Sequence, residues 1–518
     1  MNQRCKILLS LLPVSLMMQA QDAWQTKERY EYQDAIQLWR STLNPAGLSL
    51  DTLVNRGVSY FELSRQEGTH HLVQDGDALN KLLFKSEQYQ KIGKYLYGYG
   101  NFVFDMGRQF NRSWSDVIRS HNSNPYFSGS SILGKYDFQN FKLSGSLATI
   151  PLHNFTYGVR IDYGVGDLSR LKDPRSRTNL ADYQLTPAIT YTWKEHSFGI
   201  SGHYRRRKEK IPNITTVQSD ANLQYYTFTG LENVVGTVGG YSSFERQFTN
   251  HEFGAELTYS YKHNRLHSLT SLSYSRGNEN VYGDIKYEPG KYSTKHYEFQ
   301  SLNRYYTRNT MHLLDLSVDY EQGSADEYRQ QKVTVKDSVT GVESSAWQTL
   351  ITYSQRYKVN LINANIKYRM MLVNPETAES TAYVGIQGRF SSVENKFMLP
   401  ISSLKYSHLF AKLEGGYAFF RKAERALWVE ASLGYQASLS SSMNLTDQTT
   451  EYAQNVLIPD MNYYGASFFS GRLQVQYQFP FTVKEHTNVW FVKASGDYLK
   501  TNKHTDASRF SLAFGIYH

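Results

Sequence analysis

The stretch that decides the fold stands at the end of the chain. It reads Arg509-Phe510-Ser511-Leu512-Ala513-Phe514-Gly515-Ile516-Tyr517-His518. A β-strand points successive side chains to opposite faces. One face of this segment is therefore apolar and carries Phe510, Leu512, Phe514 and Ile516. The other face is small and polar. The pattern predicts a strand whose apolar face packs either on a second sheet or on lipid.

Three features favour lipid for this face: an N-terminal secretion signal, recurrence of the pattern along the chain, and its place at the very end. Bacterial outer-membrane barrels end in such a strand, which the insertion machinery reads. The segment resembles that signal, although His518 stands where an aromatic residue is usual. We therefore expect its apolar residues to be a C-terminal insertion signal, and the barrel insertion machinery to be a partner.

Residues 1–20 have the pattern of a secretory signal peptide. Arg4 and Lys6 form a basic region, residues 7–18 are apolar, and Ala20 suits the position before the cut. The apolar run is too short to cross a bilayer as a helix. Cys5, the only cysteine, falls in this leader. A cleaved chain would therefore have neither disulfide nor thiolate chemistry.

Composition excludes a bundle of membrane helices. The 518 residues are 40% hydrophobic, the mean hydropathy is −0.54, and no apolar run of about 18 residues follows the leader. The 41 tyrosines suit strands and the aromatic girdles of a barrel. An exported chain of this kind is either soluble or a barrel, because only helices and closed barrels satisfy the backbone in lipid.

From residue 57 onward, segments of about ten residues alternate apolar and polar side chains, and the polar face carries charges and amides. This length matches the roughly 9–11 residues that cross a bilayer at a tilt, whereas soluble strands usually have about 5–6. Short connections alternate with longer ones, as the turns and outer loops of such barrels do. The longer ones are expected at residues 111–135, 167–182, 207–247, 323–348 and 440–462.

These patterns predict an all-β fold, a single transmembrane antiparallel β-barrel of about 16–18 strands with long extracellular loops and a short N-terminal helical segment. The count is 16 from Tyr95, and 18 if two early candidates at 57–65 and 81–90 belong. We expect a signal peptide at 1–20, a helical plug or periplasmic segment at 21–56, and an integral outer-membrane barrel at 57–518. The helix itself is expected within 22–41, before a Pro and Gly stretch.

Charged residues inside the predicted strands face the lumen. The lumen-lining candidates are Glu256, Asp315, Asp319, Lys367, Arg369, Glu414, Glu430 and Arg472. They either line a path for a solute or pair with one another and fill the space. The alternation alone leaves both open.

Two basic clusters fall in predicted outer loops. They contain Arg170, Lys172 and Arg175, and Arg205, Arg206, Arg207 and Lys208. Because guanidinium groups pair with phosphate in a bidentate manner, we expect these clusters to bind lipopolysaccharide or another anion. The alternative is a solvated loop. Nucleic acid is not expected as a partner outside the cell.

Motifs for catalysis are absent. The sequence has no Gly-x-Ser-x-Gly elbow, and no spacing singles out a catalytic triad. His70 and His71 are adjacent, so on a strand they would point to opposite faces. We expect no catalytic residue, no metal, no cofactor and no enzymatic activity. A barrel-borne hydrolase is the least favoured reading.

Several stretches resemble an uncharacterised family of outer-membrane barrel proteins from Bacteroidota, across nearly the whole chain. They are residues 95–100 (YLYGYG), 122–129 (NSNPYFSG), 166–170 (GDLSR) and 204–209 (YRRRKE). The resemblance implies fold and location. Members tend to occur beside receptors for TonB-dependent uptake, which implies a setting of nutrient or metal uptake and such a receptor as a partner.

A shorter stretch, Asn44-Pro45-Ala46-Gly47-Leu48, is similar to the Asn-Pro-Ala stretch in the N-terminal hatch of the outer-membrane fatty-acid transporter family. This similarity implies that residues 22–56 plug the lumen and that the first strand begins near Gly57. Taken together, the sequence favours a transport-related channel or an accessory of nutrient or metal uptake. The alternative is a structural or partner-binding barrel with a filled lumen, which holds lipopolysaccharide or a neighbouring receptor.

Overall fold

A computed structural model describes residues 25–51, 55–118, 123–217, 224–237, 244–336, 343–422, 424–483 and 486–518. The predicted signal peptide at residues 1–20 lies outside this part of the chain. No helix within the described residues is long and apolar enough to cross a membrane.

The described residues form one closed antiparallel barrel of 18 strands. The strands are β1 Arg56–Gly68, β2 Ala78–Ile92, β3 Leu96–Arg112, β4 Gly134–Thr149, β5 Phe155–Arg170, β6 Arg175–Trp193, β7 His196–Ile211, β8 Arg246–His263, β9 Leu266–Tyr282, β10 Gly290–Tyr306, β11 Thr310–Lys336, β12 Glu343–Asn374, β13 Glu379–Met398, β14 Ile401–Lys422, β15 Arg425–Asn444, β16 Phe468–Val483, β17 His486–Thr501 and β18 Asp506–Tyr517. Each strand pairs with the next one in the chain.

Closure comes from the pairing of β1 with β18, which runs from Val58 opposite Tyr517 to Gly68 opposite Ala507. The barrel therefore has no free edge. The predicted all-β barrel is confirmed, and both early candidate strands belong to it, as β1 and β2. The count is accordingly 18 rather than 16 within the described residues.

The outer surface of the wall is apolar. On the closing strand, Phe510, Leu512 and Phe514 are exposed, while Ala513 between them is 1% exposed and faces inward. Leu433 is 70% exposed on β15. Exposing this belt to water would cost a free energy of about 25 cal/mol for each Å² of apolar surface. An apolar belt around a polar lumen is the arrangement of a transmembrane barrel, and the protein is integral to the outer membrane.

The connections differ between the two ends. At the end that holds the C-terminus they are two to five residues long, as expected for periplasmic turns. At the opposite, outer end, residues 113–133, 212–245 and 445–467 make long connections. These match three of the predicted loops.

Two predicted loops are wrong. At 167–182, β5 continues to Arg170 and β6 begins at Arg175, which leaves a four-residue turn. At 323–348, β11 and β12 extend to 27 and 32 residues and form a long hairpin. Both faces of these stretches are rich in polar residues. The alternation that marks a strand in a membrane wall is therefore missing from the sequence there.

The N-terminal segment lies inside the barrel. Helix α1, Lys27–Ile36, is capped by Thr26, whose side chain accepts the Arg29 N–H. Short 3₁₀ turns follow at Trp39–Ser41 and Pro45–Ser49. The helix is shorter than the predicted 22–41. Residues 25–51, here called the plug, contact inward-facing side chains of β2, β6, β8, β10, β15 and β16.

The long outer connections fold over the opposite mouth. Ser128–Ser130, Tyr225–Gly230 and Asn233–Thr237 form a small antiparallel sheet. A π-helical turn at Ala453–Leu457 leads into helix α2, Ile458–Tyr464. The described parts of residues 113–133, 212–245 and 445–467 are here called the cap. They share one buried hydrophobic cluster with the upper inner wall.

Candidate functional site

The plug touches the wall most closely at its Asn-Pro-Ala-Gly turn. A Cβ atom at Gly158 would lie 2.4 Å from the backbone nitrogen of Ala46, and one at Gly199 would lie 2.2 Å from Asn44 Nδ2. Both distances are shorter than any van der Waals contact. Only glycine on the wall allows the plug to sit at this depth.

Hydrogen bonds fix the same turn. Asn44 Oδ1 accepts the Ala46 N–H at 3.0 Å, and Asn44 Nδ2 donates to Thr190 Oγ1 of β6 at 3.1 Å. The Leu43 N–H donates to the Glu256 carboxylate of β8 at 3.0 Å. Asn44 therefore both caps the 3₁₀ turn and ties it to the wall.

Charged groups hold α1 on another side of the barrel. Lys27 Nζ lies 3.0 Å from Glu430 Oε1. The Glu28 carboxylate accepts Trp428 Nε1–H at 2.8 Å and Gln478 Nε2–H at 2.7 Å. Lys27 and Glu28 are both almost fully buried, so each charge is paired or hydrogen-bonded where water is excluded.

A second polar network joins the plug to the base of β1 and β2. Glu87 accepts a hydrogen bond from the Tyr30 hydroxyl and lies 3.1 Å from Arg40 Nη1. Arg56 Nη2 lies 3.1 Å from Asp34 Oδ1, and Arg40 pairs with the same carboxylate. The plug is thus held by these polar contacts together with apolar packing of side chains such as Ile36, Leu38 and Leu48 against the inner wall.

Asp51 closes the plug on itself. Its carboxylate accepts the Leu38 N–H at 3.0 Å and the Trp39 N–H at 3.2 Å. The side chain is 3% exposed. Burial raises the pKa of Asp51 to about 7, against the opposing effect of these two N–H donors.

The cap is held by aromatic packing. The Trp114 ring lies 4.8 Å from that of Tyr226 and 5.3 Å from that of Tyr452. The rings of Phe127 and Phe228 stack at 4.2 Å. These side chains are buried together in one cluster over the outer mouth.

Polar contacts also anchor the cap. Asp460 of α2 accepts the Val73 N–H of the β1–β2 connection at 3.0 Å. Burial raises the pKa of Asp460 to about 7. His408 Nε2 donates to the Tyr464 carbonyl at 2.6 Å. These bonds fix the position of α2 over the lumen.

Two cavities lie between the closures. The outer cavity has a volume of about 660 Å³ and lies under α2, and the inner cavity has about 300 Å³ and lies against the plug. They adjoin along β12 and β13. Asn363 and Arg389 line the outer cavity, and Asn365 and Gln387, the next inward positions on the same strands, line the inner one.

All eight lumen-lining candidates sit at inward positions, and each has a partner. The partners are Leu43 N for Glu256, Arg304 for Asp315, His296 for Asp319, Glu414 for Lys367 and Arg369, Lys27 for Glu430 and Asp497 for Arg472. Only the group around Glu414 brings several candidates together, with Arg369 Nη2 at 2.7 Å and Lys367 Nζ at 3.6 Å from Oε1.

The basic cluster at 205–208 is not in a loop, because β7 continues to Ile211. Because side chains alternate along the strand, two residues of the cluster point into the lumen and two point outward. Arg205 points inward and forms a bidentate pair with Asp182, at 2.9 and 2.6 Å. Arg207 also points inward and lies 3.3 Å from Glu209. Arg206 and Lys208 have the opposite parity and face outward.

The other cluster is divided too. Arg170 is 2% exposed and donates to the Tyr136 hydroxyl at 2.6 Å and to the Lys172 carbonyl at 3.0 Å. It is therefore not available to an anion outside the barrel. Lys172 and Arg175 are exposed at the β5–β6 turn, where Arg175 Nε lies 2.9 Å from Asp173 Oδ1.

The wall glycines that face the plug and the aromatic cluster of the cap are the features that sequence reasoning missed. Within the described residues, no group of three or more His, Cys, Asp or Glu side chains is placed to hold a metal ion. One serine lies near a histidine at the periplasmic end, with Ser59 Oγ 3.0 Å from His518 Nε2. The Nδ1 atom of this ring is buried without a hydrogen-bond partner among the described residues.

Residues 45–518 match the profile of a protein family described as "Family of unknown function (DUF6850)". The chain belongs to this family. The match begins at Pro45, inside the Asn-Pro-Ala-Gly turn, and runs through β18, so it covers the end of the plug and the whole barrel of this DUF6850 member. No curated protein matches the sequence.

Among solved structures, this DUF6850 member is similar to three outer-membrane proteins. The ferric preacinetobactin receptor BauA from Acinetobacter baumannii has 7% identity and a TM-score of 0.40, covering 90% of this chain and 80% of BauA. The FrpB iron transporter from Neisseria meningitidis has 7% identity and a TM-score of 0.39, covering 92% and 83%. A FadL homologue from Pseudomonas aeruginosa has 10% identity and a TM-score of 0.34, covering 91% and 92%.

Proposed function

We propose that the protein is a gated outer-membrane transport barrel that passes small polar solutes between two closures. The observation that carries the proposal is the pair of adjoining cavities, about 660 and 300 Å³, along β12 and β13. Protein interiors that only support a fold contain few voids larger than a water molecule. A filled, purely structural lumen would have no reason to keep this space.

The path follows the polar inner face. A solute in the outer cavity contacts Asn363 and Arg389, and one step further inward it contacts Asn365 and Gln387. Successive inward residues of a strand lie about 7 Å apart, so a small solute touches both levels at once. The plug then stands between the inner cavity and the periplasm.

The plug is suited to move because many of its contacts to the wall are hydrogen bonds and ion pairs, which form again after they break. Its buried charges meet wall partners such as Glu430, and no covalent link joins it to the wall in the described residues. Polar groups that lose a protein partner gain water when the plug shifts, whereas an apolar surface would be exposed at a cost. Passage then requires displacement at the Asn44 turn.

The test is a reversible lock on that turn. Asn44→Cys with Thr190→Cys replaces two side chains whose polar atoms lie 3.1 Å apart. In proteoliposome swelling with hexoses, hexuronates and amino acids, we expect flux with the reduced protein, loss of flux on oxidation and recovery with reductant. Absence of flux in the reduced and wild-type proteins, with heat-modifiable migration intact, would contradict transport.

A matched control is a second cysteine pair in the wall between β6 and β7. Thr192→Cys with Ser197→Cys replaces hydroxyls 3.0 Å apart on paired strands and leaves the plug untouched. We expect oxidation of this pair to leave flux unchanged. The comparison separates locking of the plug from general stiffening of the barrel.

Binding of lipopolysaccharide is a second candidate function, favoured by the outward charges of β6 and β7. Arg206 and Lys208 on β7 face away from the lumen near the outer end of the wall, and no ion pair to either is found among the described residues. Arg175 and Arg177 on the neighbouring β6 also face outward, but they pair with Asp173 and Asp167. We expect Arg206→Gln with Lys208→Gln to reduce copurified lipopolysaccharide. Lys194→Gln, which removes a charge at the periplasmic end of the same strands, serves as the control.

Narrower expectations stay predictions. They are a nutrient or metal as the solute, a TonB-dependent receptor as a neighbour, absence of enzymatic activity, and an origin in Bacteroidota. A pull-down of the full-length protein from the outer membrane, with receptor recovery as the readout, tests the neighbour.

A further inference from the structure

The outer cavity combines two kinds of lining. Aromatic rings come from Tyr406, Tyr463, Tyr464 and Phe468. Hydrogen-bonding side chains come from Gln109, Asn363, Arg389, Ser391 and Gln436. Flat rings bind the faces of ring-shaped solutes, and amide or guanidinium groups bind their hydroxyls. A volume of about 660 Å³ falls within the range of small-molecule sites, about 300–1,000 Å³.

The rings are already held in place. Tyr464 stacks on Tyr406 at 4.2 Å, and Tyr463 stacks on His70 at 4.5 Å. His408 fixes the end of α2 through the Tyr464 carbonyl. A solute that enters the cavity therefore meets pre-oriented rings and does not have to order them, which reduces the entropic cost of binding.

The charge of this cavity is not balanced. Arg389 is exposed to the lumen, and among the described residues no ion pair to it is found; its guanidinium lies 5.4 Å from the Phe410 ring. Arg112 donates to the Ser115 and Val117 carbonyls rather than to a carboxylate.

Asp75 is the one carboxyl group in the described lining of this cavity. The charges that act on it are those of Arg112 and His71, and no ion pair joins it to Arg389 among the described residues. Arg389 and Tyr463 of α2 line the same cavity. The cation and a tyrosine of α2 therefore face the same space.

The inner cavity differs in this respect. Its cations are paired with carboxylates: Arg304 with Asp315, Lys367 and Arg369 with Glu414, and Arg40 with Asp34. A paired cation offers little to a new anion, because the existing partner must first be displaced. Of the two cavities, only the outer one presents a cation without a carboxylate partner.

We propose that the outer cavity is a binding site for a sugar acid, whose ring lies against the tyrosines of α2, whose hydroxyls bond to the amides of the wall and whose carboxylate pairs with Arg389. This inference rests on the proposed function, since it names the solute class of the same lumen. Binding itself requires no passage. The hydroxyl-rich class follows from the four amide and hydroxyl side chains, and the acidic group follows from the unpaired guanidinium.

The experiment is calorimetric titration of the full-length protein in detergent with glucuronate and galacturonate, each against glucose and galactose as the neutral counterparts. We expect at least one hexuronate to bind about tenfold or more tightly than its hexose, which corresponds to about 1.4 kcal/mol. Arg389→Gln should remove this preference, and Tyr463→Ala should weaken the hexuronate and the hexose alike.

The control is Arg472→Gln, which removes an inward cation outside the cavity that already pairs with Asp497. It should leave the preference unchanged. The proposal is overturned if no hexuronate binds in the millimolar range to the folded, heat-modifiable protein, or if Arg389→Gln keeps the preference. If hexuronate binds but no flux responds to the plug lock, only the transport role is refuted. If flux responds to the plug lock but no hexuronate binds, only the sugar-acid site is refuted.

Discussion

The plug and the cap close the two ends of one lumen with different mixtures of contacts. The plug brings buried charges such as Lys27 and Glu28 to partners on the wall, and apolar side chains such as Ile36 pack beside them. The cap meets the wall with aromatic rings such as Trp114 and Phe228. Polar contacts require defined partners and directions, whereas apolar packing needs mainly volume and shape.

The difference indicates which closure depends on the exact positions of its contacting atoms. A plug held by directional bonds has one seat, defined by Gly158, Gly199 and Thr190. A cap held by packing tolerates small changes but loses much when a large ring is removed. Perturbations of shape and charge should therefore separate the two ends.

The largest expected effect is on the cap. Trp114→Ala removes a ring that is 2% exposed at the centre of the cluster. We expect the cap to lose about 3–5 kcal/mol, seen as faster hydrogen exchange in its small sheet, while the plug is unchanged. Trp193→Ala, at a ring that is 54% exposed, should have little effect on either end. Equal loosening of both ends would contradict independent closures.

The next effect is on the plug. Gly158→Ala places a methyl group 2.4 Å from Ala46 N, a backbone atom that has to move. Overpacking of this kind costs about 1–3 kcal/mol or more, so we expect protease access to the plug and increased flux. Gly164→Ala on the same face of β5, where the nearest atom lies 3.7 Å away, is the matched control. A protected plug in Gly158→Ala would refute the close seat.

Acidity should act on both ends in the same direction. The pKa of Asp51 in the docked plug is about 7, above its ordinary 3.8, so the docked state binds more protons than the released state. Docking therefore weakens as pH rises from about 4 to about 7, by up to about 1.4 kcal/mol per pH unit, and is level above that. Hydrogen exchange of the plug at pH 5 and pH 8 measures the change.

Two variants test whether Asp51 and Asp460 cause this pH dependence. Asp51→Asn keeps an oxygen for the Leu38 and Trp39 N–H groups and should reduce the slope at the plug alone, while Glu31, whose pKa burial also raises, supplies the remainder. Asp460→Asn should do the same at the cap, where the pKa is also raised to about 7. A wild-type slope at the plug of Asp51→Asn would show that another group titrates.

The smallest effect is expected from salt. Raising NaCl from about 0.1 to about 1 M shortens the screening length from about 10 to about 3 Å. Partly exposed pairs of the plug, such as Arg29 with Glu379 at 3.4 Å, should then lose less than about 1 kcal/mol. The aromatic cap should not weaken. Arg29→Gln should reduce the salt response measured by hydrogen exchange.

The wall was predictable from sequence because its physics is local. Alternation at Phe510 and Leu512 identifies the lipid face, since one parity must be apolar along the whole membrane span. The same rule divides Arg205 and Arg207 from Arg206 and Lys208, and applying it beyond the predicted end of β7 would have corrected the loop assignment. The outer part of the β11–β12 hairpin was not predicted, because both of its faces carry polar residues.

The contents of the lumen were less accessible. The Asn44 turn pointed to a plug, but its seat depends on Gly158 and Gly199, more than a hundred residues away. The cap joins Trp114 to Tyr226 and Tyr452 across three connections. Such aromatic residues in long connections indicate burial. The periodicity of the sequence, however, does not predict which of them contact one another.

The seam between β1 and β18 links barrel closure to docking of the plug. The plug directly precedes β1 in the chain, and the ring of Tyr30 in α1 lies 5.5 Å from that of Tyr517 at the end of β18. The pairing of Val58 with Tyr517 joins the first and last strands and fixes the ring that Tyr30 contacts. Closing the barrel therefore also completes part of the seat in which the plug rests.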